Sequence, residues 1–375
     1  MHGAVSINPN AIAKISVYGV AIPFHALGSR WVGRDKPDHL DSTIVIIETR
    51  SGLSGVGESC PIGAIYLPAF AVGLRAALEE MAPALLGQDA TQINQVNRVM
   101  DETLFGHVYA KAVIDIACWD LLGKHCAQPL SQLLGGRFQS RIPAYASIPL
   151  RTPDDMVAML KQKQSEGFTR FQIKIGDDPI EDCERVRAVV AAGRDGDLFM
   201  ADANRGWSQA DALRAVGQIN QIDCYLEQPC ATYRECLPVR ERCTRPFILD
   251  EVIDSPQELA RAIADDALDA LVIKVTHAGG LTPAKIQRDL CLSHGIKMRL
   301  EDTAGTEITR AAQAQLAAAT PLSLQLGSYT FVNDRPATAD GAPEVLNGML
   351  HLNHEPGLGV TPKMDVLGEA LAVYA

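Results

Sequence analysis

The sequence has no excess of positive charge. Its 375 residues include 45 acidic and 34 basic side chains, which gives a formal net charge of −11. Proteins that bind nucleic acid normally present a basic surface, so the composition argues against such a partner. The chain also lacks the low hydrophobicity of a disordered protein, because 47% of its residues are hydrophobic. We therefore expect a globular protein with a hydrophobic core.

Paired cysteines and long apolar runs are absent as well. The nine cysteines are odd in number and include no Cys-x-x-Cys pair, so we expect reduced and mostly buried thiols. No stretch approaches the roughly 18 consecutive apolar residues that suggest a membrane-spanning helix. The N-terminal residues lack the charged and then apolar pattern of a secretory signal. The simplest expectation is a cytoplasmic protein without membrane association.

The length and the hydrophobic pattern predict a smaller and a larger domain. A chain of 375 residues exceeds the size at which a single core usually stops growing. Residues 11–58 alternate between apolar and polar positions, as in a small meander sheet, and a helical period follows from about residue 68. We predict three parts: an α+β capping domain over 1–135, a barrel domain over 136–340, and a C-terminal segment over 341–375 that returns to the cap.

Two local predictions concern the end of the first part. Apolar residues from Ala110 to Leu121 occupy one helix face, and Gly123 and Pro129 are expected to interrupt this helix. The double glycine Gly135-Gly136 is a plausible domain boundary before a predicted strand at 141–145.

Beyond residue 141, a helical segment, a short apolar run and a charged residue recur in that order. This alternation predicts parallel strands joined by crossover helices. Six evenly spaced runs are expected to be strands: Phe171–Ile173, Leu198–Met200, Cys224–Leu226, Phe247–Leu249, Leu271–Ile273 and Lys297–Leu300. The predicted fold class is therefore α/β, a (β/α)8-type (TIM-like) barrel with an N-terminal α+β capping domain.

One charged residue marks the end of each of these six runs. They are Lys174, Asp202, Glu227, Asp250, Lys274 and Glu301, separated by 23 to 28 residues, which is about the length of one strand and its helix. The carboxyl ends of barrel strands form the rim where active sites are built. Residues far apart in sequence are thus predicted to meet at one mouth.

Three consecutive strands deliver the carboxylates Asp202, Glu227 and Asp250. Three carboxylates at close range repel one another unless a cation lies between them. Oxygen ligands without histidine or cysteine favour Mg²⁺, with Mn²⁺ as a substitute, over zinc. We therefore predict a magnesium site formed by these three acids.

Lys174 and Lys274 flank the three acids in strand order and so approach the metal from opposite walls. A desolvated lysine beside a divalent cation is disfavoured in its charged form and can act as a base. Such a pair suits removal of the proton α to a carboxylate, because the metal stabilises the charge that develops on the carboxylate oxygens. The predicted substrate is a small-molecule carboxylate.

The motifs around these residues resemble the mandelate racemase/muconate lactonizing enzyme subgroup of the enolase superfamily. They are Gln172-Ile173-Lys174, Asp202-Ala203-Asn204, Glu227-Gln228-Pro229, Asp250-Glu251, and Ile273-Lys274 followed by Gly279-Gly280-Leu281. The use of a lysine base with Mg²⁺ is a known property of this superfamily. The resemblance implies metal ligands at Asp202, Glu227 and Asp250, catalytic lysines at Lys174 and Lys274, and a homo-oligomer.

The sequence departs from the subgroup at one position. The subgroup usually has Lys-x-Lys on the second strand, whereas Gln172 occupies the first position here. Within the subgroup the chain looks most similar to hydroxyproline betaine epimerases and cis-3-hydroxy-L-proline dehydratases. This similarity implies epimerisation of a proline or hydroxyproline betaine, with dehydration of a hydroxyproline or epimerisation of an N-acyl amino acid or dipeptide as alternatives.

Further residues are expected to bind substrate or to support the ligands and lysines: Gln172, Asn204, Glu251, Glu301, Asp302 and Tyr329. Tyr329 could place an aromatic ring against a quaternary ammonium group, or simply pack at the rim. Substrate choice is assigned to two cap segments, residues 25–31 and 60–66. His107, His277 and His294 are expected to be surface or packing residues.

Two other classes of protein remain open at this stage. A different Mg²⁺-dependent barrel enzyme, such as an aldolase, would use the metal but would not need lysines on two walls. A non-catalytic binding protein would need no bases at all, and two buried cations beside a metal site are costly without a purpose.

Overall fold

The computed structural model describes residues 8–23, 30–31, 34–35, 38–329 and 335–375. The strands are β1 Ile12–Pro23, β2 Arg30–Trp31, β3 Arg34–Asp35, β4 His39–Thr49, β5 Ser54–Ser59, β6 Arg141–Pro143, β7 Ala146–Ile148, β8 Arg170–Lys174, β9 Leu198–Asp202, β10 Tyr225–Glu227, β11 Phe247–Leu249, β12 Ala270–Lys274, β13 Lys297–Glu301, β14 Gln325–Gly327, β15 Ala339–Asp340, β16 Glu344–Leu346, β17 Met349–His351, β18 Thr361–Pro362 and β19 Ala372–Tyr374.

The α-helices are α1 Gly63–Tyr66, α2 Ala71–Leu85, α3 Ile93–Thr103, α4 Val108–His125, α5 Leu130–Leu133, α6 Pro153–Ser165, α7 Pro179–Ala191, α8 Gln209–Ile219, α9 Tyr233–Arg240, α10 Pro256–Ala264, α11 Val275–Ala278, α12 Leu281–His294, α13 Glu307–Ala318 and α14 Met364–Leu367. A short 3₁₀ helix spans Leu322–Leu324. None of the helices in the described part of the chain combines the length and the apolar character needed to cross a membrane.

The cap is an antiparallel sheet packed on helices. Its strands run in the order β19–β1–β4–β5, and β1 pairs with β4 along nearly its whole length. Apolar side chains from one face of this sheet and from α2, α3 and α4 form a separate hydrophobic cluster. Because β19 pairs with β1, residues near the end of the chain join the sheet formed by residues near its beginning.

The barrel consists of eight parallel strands that pair in chain order, from β7 to β14. The first and last strands are joined by hydrogen bonds from Tyr145 N to Ser328 O, at 3.2 Å, and from Ser328 N to Pro143 O, at 2.9 Å. All six runs predicted from the sequence are strands. The α/β barrel with an N-terminal α+β cap is confirmed.

Two local predictions were wrong in detail. The predicted strand at 141–145 contributes β6, but β6 pairs with β17 in a separate antiparallel sheet, and the first barrel strand is β7. Helix α4 continues through Gly123 and ends at His125. Gly123 is required for packing, because a Cβ there would lie 2.5 Å from the Cα of Gly357. This glycine therefore permits a close approach and does not end the helix.

The crossover helices begin at side-chain caps. Thr152, Asp178, Ser208, Thr232 and Ser255 each accept a hydrogen bond from a backbone N–H in the first turn of the following helix. Such caps satisfy N–H groups that have no partner within the helix. They help to fix where each helix starts after its strand.

A buried carboxylate joins the cap to the barrel. Glu58, on β5, accepts hydrogen bonds from the backbone N–H groups of Thr306 and Thr309 and from both threonine hydroxyls, at 2.7 to 3.0 Å. These groups form the N-terminus of α13, where a negative charge is stabilised by the helix dipole. Ser42, on β4, donates a further hydrogen bond at 2.6 Å. The cap is therefore held on the helix that follows β13.

We expect Glu58→Gln to destabilise the protein by about 2–3 kcal/mol, because an amide presents N–H groups to donors that now share a carboxylate. The midpoint of thermal unfolding, measured by calorimetry, should fall clearly. Ser42→Ala is the matched control, since it removes one donor and leaves the carboxylate in place; it should cost about 1 kcal/mol. An unchanged midpoint in Glu58→Gln would contradict this account of the interface.

The cysteines agree with the prediction of reduced thiols. All nine are free, and eight of them are buried, with Cys126 exposed. His277 is also buried as expected of a packing residue, with its ring 6.2 Å from that of Tyr109.

Candidate active site

The six charged strand ends converge on one mouth of the barrel. The pairing register places Lys174 beside Asp202, Asp202 beside Glu227, and Lys274 beside Glu301. A cavity at this mouth is lined by residues from five barrel strands, from the segments next to the strands and from the cap: Ile62, Tyr66, Tyr145, Ser147, Gln172, Lys174, Asp202, Asn204, Asp250, Lys274, Arg299, Glu301, Asp302, Thr303 and Tyr329. Glu227 and Glu251 are buried and do not line the cavity.

Lys174 is held by two residues of the next strand. Its Nζ donates hydrogen bonds to Asp202 Oδ2 at 2.6 Å and to Asn204 Oδ1 at 2.7 Å. Gln172 also donates to Asp202 Oδ2, at 2.8 Å, while Asn204 donates to Glu251 at 3.1 Å. The Lys174 ammonium group is thus directed across the ends of β8 and β9.

Lys274 is more deeply buried and approaches from the other side. Its Nζ donates to both oxygens of Asp250 at 2.5 Å and to the hydroxyl of Tyr66 at 2.8 Å. Burial lowers the pKa of Lys274, but the carboxylates of Asp250, Glu251 and Glu301 outweigh it, so the pKa is raised above its usual value.

Tyr66 is the cap residue in this constellation. It ends α1 within the predicted segment 60–66, and its hydroxyl donates to Glu251 Oε1 at 2.8 Å. The guanidinium of Arg205 lies 5.3 Å from the Tyr66 ring centroid, and the Lys274 ammonium lies 5.2 Å from it. In the other predicted cap segment, residues 25–29 lie outside the described residues.

Arg299 is a central residue that the sequence analysis missed. It is fully buried inside the barrel, and its two terminal nitrogens donate to the two oxygens of Glu227. Its Nε donates to Glu301 Oε2 at 2.7 Å, and its guanidinium lies 4.8 Å from the Tyr145 ring centroid. Its position two residues before Glu301 is the signal that could have found it, because alternate residues of a strand face the same side.

Each of the three predicted metal ligands contacts a basic side chain. Asp202 binds Lys174, Glu227 binds Arg299, and Asp250 binds Lys274. Burial would raise the pKa of Asp202, but Lys174 and Arg299 outweigh it and the pKa is lowered. Burial raises the pKa of Glu227 well above its usual value, although Arg299 opposes this, and raises that of Asp250 to about 7 against the effect of Lys274.

The donor set fits a hard divalent cation. Within the described ranges, no three acidic, histidine or cysteine side chains already form a group that could hold a metal, because the carboxylates turn toward the three basic residues. The acids nevertheless lie at the ends of neighbouring strands and offer only oxygen atoms, which Mg²⁺ prefers. Oε2 of Glu251, directly after Asp250, is buried and has no hydrogen-bond partner among the described residues, so this oxygen could accept a cation.

The remaining predicted residues, Glu301, Asp302 and Tyr329, lie at or just after the ends of β13 and β14, across the barrel from the three acids. Glu301 Oε2 accepts from the hydroxyl of Tyr145 at 2.5 Å, and the Tyr329 ring packs 5.2 Å from that of Tyr145. Burial raises the pKa of Tyr329 to about 12. Asp302 accepts from the backbone and hydroxyl of Thr276, so it supports the turn after Lys274; burial raises its pKa to about 7.

Comparison with known proteins identifies the family. Residues 38–135 match the mandelate racemase/muconate lactonizing enzyme N-terminal domain, and residues 155–366 match the enolase C-terminal domain-like family. The chain belongs to the enolase superfamily. It is an enzyme of this superfamily, and its relatives include racemases, epimerases, dehydratases and cycloisomerases.

Three members of the superfamily indicate how close the relationship is. A cis-3-hydroxy-L-proline dehydratase from Roseibium aggregatum is 46% identical over 97% of this chain and 100% of that protein. An N-succinyl-L-Arg/Lys racemase from Bacillus cereus is 28% identical over 96% of this chain and 97% of that protein. A superfamily member from Roseovarius nubinhibens ISM, whose crystal structure is complexed with magnesium, has 36% identity and a TM-score of 0.93, covering 97% of this chain and 99% of that one.

Proposed function

We propose that this enzyme removes the α-proton of cis-3-hydroxy-L-proline and eliminates the 3-hydroxyl as water, with Mg²⁺ as its cofactor and Mn²⁺ as a substitute. The observation that carries the proposal is the pair of lysines at the ends of β8 and β12, on either side of three acids. The 46% identity to a dehydratase of this substrate supports dehydration over epimerisation. The free cysteines agree with a cytoplasmic enzyme.

The stereochemistry of this substrate suits two bases on opposite walls. The hydroxyl and the carboxylate share one face of the ring, so the α-hydrogen and the hydroxyl lie on opposite faces. One lysine removes the α-proton, and the electron pair of that bond moves into the substrate carboxylate. The pair then returns to form the Cα–Cβ double bond as the Cβ–O bond breaks. The other lysine donates a proton to the departing hydroxyl, which leaves as water.

Asp202, Glu227 and Asp250 would hold the magnesium ion. When bound, it would supply positive charge that stabilises the developing charge on the substrate carboxylate and offsets the acids that keep Lys274 protonated. Asn204 would direct Lys174 at the substrate through its 2.7 Å hydrogen bond. Tyr66 would direct Lys274, to which its hydroxyl is bound at 2.8 Å.

The ring nitrogen of the substrate is assigned to Glu301. Arg299 and Tyr145 both bind Oε2 of this carboxylate and fix its orientation on β13, across the cavity from the acids at β9, β10 and β11. A secondary ammonium has N–H groups that a carboxylate can accept. A carboxylate at this place therefore supports a substrate with a charged amine.

Epimerisation of a proline betaine is the second candidate, and it depends on Tyr329. A quaternary ammonium has no N–H and is bound by aromatic faces. Tyr329 lines the cavity. The rings of Tyr66 and Tyr145 already face protein cations: the charged groups of Lys274, Arg205 and Arg299 lie 4.8 to 5.3 Å from the ring centroids. A ring that faces a protein cation is less available to a substrate cation, which favours the hydroxyproline.

Proton NMR in D2O with Mg²⁺ tests the proposal. The panel contains cis-3-hydroxy-L-proline, trans-3-hydroxy-L-proline, proline betaine, hydroxyproline betaine and an N-acyl amino acid. We expect elimination only from the cis compound, at least about 100-fold faster than from the trans compound, because the trans hydroxyl lies on the same face as the α-hydrogen. Inversion of a betaine without elimination would support the second candidate, and absence of α-hydrogen exchange throughout would refute both.

A further inference from the structure

Ser147 has an unsatisfied hydroxyl at the candidate site. It lies on β7, the first barrel strand, and lines the cavity. Its Oγ is buried and has no hydrogen-bond partner among the described residues. Native proteins rarely leave a buried polar atom unpaired unless a ligand or water binds it. A group of the substrate is therefore the candidate partner of this hydroxyl.

The barrel order determines which part of a substrate Ser147 can reach. The acids Asp202, Glu227 and Asp250 follow β9, β10 and β11, while β7 lies on the far side of the closed barrel, between β8 and β14. A substrate whose carboxylate lies beside the acids extends its other end toward β7, β13 and β14. Ser147 thus faces the ring substituents and not the carboxylate.

The surroundings of Ser147 suit a neutral polar group. The strand register places it beside Gln172, whose side-chain N–H is directed at Asp202. The side chains of Ser147 and Gln172 are uncharged. The negative charge proposed to bind the substrate ammonium is that of Glu301, on β13. A hydroxyl can accept from Ser147 and donate to a carbonyl oxygen, so it fits this wall.

We propose that Ser147 binds the 3-hydroxyl of the substrate on the face next to Lys174. This inference rests on the proposed dehydratase function and deepens it, because it assigns the two lysines. The hydroxyl faces Lys174, so the α-hydrogen faces Lys274. Lys274 takes the proton from Cα, and the bonding pair moves into the substrate carboxylate. The pair then forms the Cα–Cβ double bond as the Cβ–O bond breaks, and Lys174 gives a proton to the departing hydroxyl, which becomes water.

Substitution of Ser147 tests the hydroxyl contact. For Ser147→Ala we expect the KM for cis-3-hydroxy-L-proline to rise about tenfold, which corresponds to the loss of one hydrogen bond. The inhibition constant of L-proline, which has no hydroxyl, should change less than twofold. Ser147→Thr keeps the hydroxyl and should restore most of the affinity for cis-3-hydroxy-L-proline. Equal changes for both ligands, or none for either, would overturn the inference while leaving the dehydratase function intact.

The lysine assignment is tested with the same substrate. Reactions in D2O are stopped early, and the unreacted cis-3-hydroxy-L-proline is recovered and analysed by mass spectrometry. With Lys174→Ala we expect deuterium at Cα without elimination, because Lys274 still removes the proton. With Lys274→Ala we expect neither deuterium nor elimination. The reverse pattern would overturn the assignment, and a wild-type enzyme that neither exchanges nor eliminates would refute the proposed function together with it.

Discussion

Replacement of either lysine by alanine is expected to reduce elimination of water from cis-3-hydroxy-L-proline by at least about 10³-fold. The two ammonium groups lie on opposite sides of the three acids, and each has a separate task in the proposed reaction. General acid–base groups typically contribute 10²–10⁴-fold to a rate. The initial rate of product formation, followed by NMR at saturating substrate and Mg²⁺, measures the loss.

Lys163→Ala is the matched control for both variants. Lys163 lies on α6, where it pairs with Glu166 at 2.8 Å on the outside of the barrel. Its removal should leave the rate within about twofold. If Lys274→Ala kept most of the activity, a mechanism with one base would be indicated, as for an aldolase-type barrel enzyme. Circular dichroism of each variant distinguishes lost chemistry from lost folding.

Replacement of Arg299 by methionine is expected to lower the free energy of unfolding by about 3–5 kcal/mol. Its guanidinium is fully buried and neutralises Glu227 and Glu301, so methionine leaves two buried carboxylates without their partner. Removing one partner of a buried ion pair typically costs about 3–5 kcal/mol, because an uncompensated charge remains in the interior. Chemical denaturation followed by tryptophan fluorescence measures the difference.

Magnesium provides a second measurement on the same variant. If Glu227 is a ligand, Mg²⁺ should raise the unfolding midpoint of Arg299→Met more than that of the wild type, because a cation replaces the lost arginine. Lys297→Met is the control, since this lysine is on the same strand and its Nζ donates to the neutral Tyr225 hydroxyl at 3.0 Å; its cost should be below about 1 kcal/mol. An Arg299→Met protein that is stable and indifferent to Mg²⁺ would remove Glu227 from the ligand set.

Much of the fold was predictable because periodicity is local. The six barrel strands were located by their length and spacing, and Ser255 begins α10 as its serine-proline signal indicates. The first barrel strand was not located, because Arg141–Pro143 and Ala146–Ile148 are adjacent short extended segments that join different sheets. Which of two strands pairs with the barrel depends on partners that are distant in sequence.

The site was predictable only in part. Charged residues at strand ends can be recognised in the sequence, because each one ends a short apolar run whose length is that of a strand. Arg299 and Ser147 lie inside strands, and their importance comes from what surrounds them: two carboxylates for Arg299, and no described partner for the Ser147 hydroxyl. Tyr66 reaches Lys274 from the cap, a contact between residues 208 positions apart.

By itself, the sequence determined the barrel class and placed the acids and the lysines at strand ends, because hydrophobic period and charge spacing act over one strand–helix unit. Only the tertiary structure decided which acidic group pairs with which basic group. It pairs each acid with a basic side chain, directs Glu58 of the cap to the N-terminus of α13, and leaves the Ser147 hydroxyl facing the cavity. Hydrogen-bond partners and burial arise from closure of the barrel, which brings together residues that no local pattern connects.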